Sequence, residues 1–127
     1  MNISALKNRF SKLYSAPRGP TVASNLDSDL PVDYLVFLQK IGGGTIGDTL
    51  FEIYDRPLTA SEIYGDVSSL SLSGIWFLGD DYNGYCVGLD PSRDWAVVEV
   101  DKVSKEKEVI ADSLVAFLMH DFRLGDT

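Results

Sequence analysis

The chain has 127 residues, 45% of them hydrophobic and 24% charged, and 19 acids against 11 Lys and Arg give a formal net charge of −8. This describes one ordinary globular domain, too apolar to be disordered and too acidic to attract nucleic-acid phosphates. A single cysteine excludes an intramolecular disulfide, and no apolar run approaches the ~20 residues of a membrane span, so a cytoplasmic protein bound to neither membrane nor nucleic acid is expected.

Ile3, Leu6, Phe10, Leu13 and Tyr14 recur at helical spacing opposite Lys7, Arg9 and Lys12, so residues 1–18 open with a basic amphipathic helix, and the sequence leaves open whether it packs on the body. That segment carries a net +4, whereas residues 19–101 carry a net −11. Pro17, Gly19 and Pro20 place Ala16 to Asp29 in a loop, with 19–29 joining the first helix to a body spanning 30–127. Pro31 suits the first turn of a second helix, and Asp33 complements its dipole. Tyr34, Phe37, Leu38 and Ile41 form its apolar face, and Gly42 and Gly43 end it. Thr49 to Tyr54 alternates as a strand closed by Asp55-Arg56-Pro57, and Thr59 with Glu62 has the capping-box spacing that opens a short helix through about Asp66.

Ile75 to Tyr82 and Tyr85 to Asp90 flank Asn83-Gly84, the preferred pair for a two-residue type I′ hairpin. That register sets Tyr82 against Tyr85 and Leu78 against Leu89. Trp76, Leu78, Val87 and Leu89 then share one face, and Phe77, Asp81 and Cys86 the other. Trp76 and Trp95 are expected in the core. Asp90-Pro91-Ser92-Arg93 fits a type I turn, Trp95 to Val100 returns as a further strand, and a helix from Ala111 to Leu118 closes the series. The expected architecture is a single α+β domain, a central mainly antiparallel meander flanked by helices.

Leu30-Pro31-x-x-Tyr34-x-x-Phe37-Leu38 with its following glycines resembles the first motif of the SUKH superfamily, which holds fungal cell-wall-assembly regulators and many bacterial toxin-immunity proteins. Trp76-Phe77-Leu78-Gly79-Asp80-Asp81, Gly84 to Asp90, Val97 to Asp101 and Ala111 to Leu118 resemble its later blocks in order, covering roughly residues 30 to 120. One departure is visible: Gly42 stands where relatives commonly carry Asn. The resemblance implies a non-enzymatic immunity protein that binds and neutralises a cognate toxin, with a basic nuclease as one candidate. The alternative it implies is a regulatory or scaffold module that docks other proteins.

The residues themselves offer little catalysis. Gly42 to Gly47 follows a helix instead of opening one and lacks the Lys-Ser/Thr of a phosphate loop. His120 and Cys86 are single, so no metal cluster or nucleophilic dyad is expected, and no cofactor. The candidate partner-binding residues are the acids Glu52, Asp55, Asp66, Asp80 and Asp81 with Tyr82 and Asn83 at the hairpin tip, where carboxylates meet a partner's Arg or Lys and a tyrosine serves as anchor. A monomer or weak homodimer is expected.

Overall fold

The computed structural model describes residues 3–20, 29–47, 51–65 and 72–120. Seven strands form one antiparallel sheet in sequence order: β1 (Tyr14–Gly19), β2 (Gly43–Ile46), β3 (Phe51–Thr59), β4 (Trp76–Asp80), β5 (Tyr85–Asp90), β6 (Ala96–Asp101) and β7 (Lys107–Ala111). Helices α1 (Ile3–Leu13), α2 (Val32–Lys40), α3 (Ala60–Tyr64) and α4 (Leu114–His120) complete the α+β domain, so the expected meander is present and longer than foreseen.

One face of the sheet is closed by α1, α2 and α4. Leu6 and Phe10, Tyr34, Phe37 and Leu38, and Phe117 and Leu118 from those helices bury against Phe51, Ile53, Leu78, Val87, Leu89 and Val97. Phe10 and Phe37 meet edge to face with ring centroids 5.1 Å apart, and Arg9 Nε donates to the Leu118 carbonyl at 2.8 Å, tying α1 to α4. The basic first helix is therefore a core element. On the other face, α3 covers part of a smaller cluster around Phe77, Cys86, Val98 and Val100.

Several expectations are corrected. The segment from Ala16 to Gly19 is strand, not loop: β1 pairs with β2, with Pro17 tolerated because this is an edge strand and its two register shifts loosen the ladder. The second helix begins at Val32 with Pro31 as its N-cap. Only Gly42 makes the turn that ends it, at φ +84°, while Gly43 and Gly44 already belong to β2. A Cβ on Gly42 would run into the Gly19 carbonyl oxygen, so contact as well as backbone conformation calls for glycine here. Asp55-Arg56-Pro57 does not close β3, which continues to Thr59 through a register shift between Ile53 and Leu58. β7 was not foreseen, and α4 starts at Leu114, where the Ser113 hydroxyl accepts from the Ala116 amide.

The β4–β5 register also differs. Trp76 faces Leu89 and Asp80 faces Cys86, with an irregularity between Phe77 and Gly79. The connection is a four-residue loop, Asp81 to Gly84, closed by the Asp81 amide donating to the Tyr85 carbonyl, and its positive φ values fall on Tyr82 and Gly84. Carboxylate caps from Asp80 and Asp81 stabilise this wider loop in place of the type I′ turn. The bulge absorbs the slip, so Leu78, Val87 and Leu89 still share the helix-covered face with half-buried Trp76, while Phe77 and Cys86 share the other. Asp81 leaves the sheet, and Asp80 stands beside Cys86 instead. Asp90 caps a 3-10 turn, Pro91–Arg93, and Trp95, at φ +62°, precedes β6 and packs half-buried against the core.

Candidate functional site

The face not covered by α1, α2 and α4 carries the predicted residues at one corner. Period-2 alternation in β3 sends Phe51 and Ile53 into the core and leaves Glu52 and Tyr54 on this face. Glu52 is the cross-strand partner of Asp80, so the sheet itself brings these two acids together. Arg18, from the edge strand, reaches over β2 to both β3 acids: its Nη2 lies 2.6 Å from Glu52 Oε2 and its Nε donates to Asp55 Oδ1 at 2.7 Å. Nη2 also donates to the Ile53 carbonyl at 2.7 Å. This crossing depends on Gly43, because a Cβ there would sit 2.6 Å from Asp55 Oδ1.

Asp80 accepts from the Tyr54 hydroxyl at 3.0 Å and lies 3.9 Å from Lys102 Nζ. Its other oxygen accepts from the Tyr82 amide at 2.9 Å. Tyr82, 45% exposed, hydrogen-bonds through its hydroxyl to Glu52. The hydrogen bond to Glu52, and to a lesser degree burial, raises the phenol pKa. Arg18, Glu52, Tyr54, Asp55, Arg56 and Leu58 line an open depression beside this group.

Four of the seven predicted residues, Glu52, Asp55, Asp80 and Tyr82, thus share one corner. Asp81 and Asn83 play a different part: the Asp81 carboxylate turns back onto the Asn83 and Tyr85 amides at 2.8 and 3.1 Å, building the loop. Asp66 lies outside the described residues.

Sequence reasoning missed Arg18 and Lys102, which offset much of the charge that the acids were expected to display, and Tyr54, which donates to Asp80. It also missed a second acidic region. In the run Lys105-Glu106-Lys107-Glu108 the signs alternate, and Glu99, Asp101, Glu106 and Glu108 line a depression at the β5–β7 end together with Tyr85, Ser104 and Lys107. The lysine amines turn elsewhere: Lys102 toward Asp80, Lys105 over the Tyr64 ring at 4.9 Å, and Lys107 to Asp90 at 2.8 Å. The alternation was the available signal.

Cys86 is buried beside the Asp80 corner, with its Sγ 4.0 Å from the Tyr54 hydroxyl. Burial pushes its thiol above the ordinary value despite the tyrosine hydroxyls and Lys102, which keeps it protonated and a poor nucleophile. Among the described residues no group of three or more His, Cys, Asp or Glu is placed to hold a metal ion, and no helix is long and apolar enough to cross a membrane.

A seven-stranded antiparallel meander with three helices on one face, and a corner of ordered charged and tyrosine side chains on the other, defines a small α+β domain whose candidate binding residues lie on open surface. The family model of the SMI1 / KNR4 family (SUKH-1) matches residues 22–120, and the chain belongs to that family. Its superfamily includes toxin-immunity proteins and fungal regulators, and its domains serve as protein-interaction modules.

Proposed function

We propose that this chain is a non-enzymatic immunity protein of the cytoplasm that binds a cognate toxin and blocks it, with Glu52, Asp55, Asp80 and Tyr82 at the contact. The observation that carries the reading is Tyr82. A half-exposed tyrosine held at positive φ on a loop capped by two carboxylates, with its hydroxyl tied to a third, is an anchor whose ordering cost is met before binding. The net charge of −8 and the acidic β5–β7 rim favour a basic toxin, such as a nuclease whose substrate groove is positive.

The test is co-expression with the toxin encoded beside this gene. Restored growth and a co-purifying complex, both weakened by Tyr82→Ala, are expected. Continued killing with no complex would overturn the proposal.

A further inference from the structure

Arg18 and Tyr82 use the two oxygens of one carboxylate. Glu52 Oε2 takes the Arg18 guanidinium, and Oε1 takes the Tyr82 hydroxyl. A glutamate side chain alone has three rotatable bonds and on an exposed sheet face samples many rotamers. Here the guanidinium fork is itself fixed by two further acceptors, Asp55 Oδ1 and the Ile53 carbonyl, all supplied by β3. A lysine has no such fork. The Glu52 rotamer is therefore set from the β1 side, and with it the point in space where Tyr82 finds its acceptor.

We infer that Arg18 is a positioning residue for Tyr82, acting through Glu52, so that the edge strand β1 sets the geometry of a binding loop three strands away. Arg18 also cancels charge on Glu52 and Asp55, and what this corner presents outward is chiefly a fixed phenol. The assignment of a binding purpose rests on Tyr82 being a partner contact; the geometric relay does not.

The relay is testable in the free protein. The Thr45 side chain lies beside the Tyr82 hydroxyl, so a nuclear Overhauser contact between the Tyr82 ring and the Thr45 methyl reports the ring's position, with Tyr82→Phe and Thr45→Ser assigning the signals. Glu52→Ala, which removes the relay, sets the value expected when it is broken. Arg18→Ala and Arg18→Gln are expected to lose the contact as Glu52→Ala does, with the remaining spectrum dispersed as in the wild type. Asp55→Ala is expected to keep it. Retention of the wild-type contact in both Arg18 variants would overturn the inference. If the contact is lost but Tyr82→Ala still neutralises the toxin, the relay stands and the proposed role of Tyr82 falls.

Discussion

Asp90 on β5 and Lys107 on β7 meet at 2.8 Å across the intervening strand β6. The Asp90 side chain is only 3% exposed, and its second oxygen accepts from both the amide and the hydroxyl of Ser92. Asp90 is the one buried charged residue among the described core, so its charge is tolerable only because all these donors converge on it. Removing Lys107 leaves a buried carboxylate without its cation. Lys107→Ala is expected to lower unfolding stability on the order of 3 kcal/mol, whereas Lys107→Ala combined with Asp90→Asn, which removes the charge but keeps an acceptor for Ser92, should recover part of the loss. Denaturant midpoints for the two variants check this.

The acid side of the stability profile follows from the same carboxylate and from Glu62. Burial alone would raise the Asp90 pKa, but Lys107 and Ser92 outweigh it and the folded value lies below the ordinary one. Arg56 first, then the Thr59 amide, hold the Glu62 carboxyl at about 2. For both, the unfolded chain binds its proton at higher pH than the folded one. Their contribution is complete above the ordinary carboxylate range of about 4 and is lost as pH falls through the folded values. Urea midpoints should stay level from neutrality to about pH 5 and then drop toward pH 2. In Lys107→Ala burial is opposed by Ser92 alone, so the folded pKa of Asp90 rises and less stability is left to lose on acidification. The deficit of that variant should narrow on acidification.

Gly42 separates two causes that usually travel together. Its φ of +84° is unfavourable for most residues, and its Cβ position is occupied by the Gly19 carbonyl oxygen. Asparagine tolerates left-handed backbone far better than alanine does. If conformation alone mattered, Gly42→Asn would be mild. Because the collision with β1 is common to both, Gly42→Asn and Gly42→Ala are each expected to cost about 2 kcal/mol or more. Thermal unfolding of the pair decides it: similar losses mark the collision, and a much smaller loss for asparagine marks conformation alone.

How much of this was legible depended on whether local signals coincided with burial. Thr59 and Glu62 form the capping box that their spacing implies, with both reciprocal hydrogen bonds present, because capping is a property of four adjacent residues. The faces of the β4–β5 hairpin were legible from apolar alternation even though its register was not. Loop closure there is decided by Asp80 and Asp81 carboxylates that a turn-pair rule does not weigh. β1 was hidden by Pro17, which only an edge strand accommodates, and β7 by Lys107 and Glu108, whose charges mask the strand. At the site, Tyr82 and the acids were visible by type. Arg18 was not, because its partners on β3 are distant in sequence and only the crossing over Gly43 brings them within reach.

Two kinds of residue should therefore behave differently in a toxin complex. Glu52 and Asp55 are already paired with Arg18, so they contribute little steering, while Glu106 and Glu108 are exposed at the β5–β7 rim. Long-range attraction acts on encounter and is screened beyond about 8 Å at physiological salt. In the proposed complex Tyr82 acts after encounter, by short-range contact from a prearranged position. Glu106→Gln with Glu108→Gln is expected to slow association, with an effect that fades as salt is raised, and to leave dissociation unchanged. Tyr82→Ala is expected to accelerate dissociation roughly 30-fold, about 2 kcal/mol, at every salt concentration. Stopped-flow or surface-binding kinetics resolve the two rates. A Tyr82→Ala effect confined to association would mean that the phenol is no anchor and that charge alone brings the partners together.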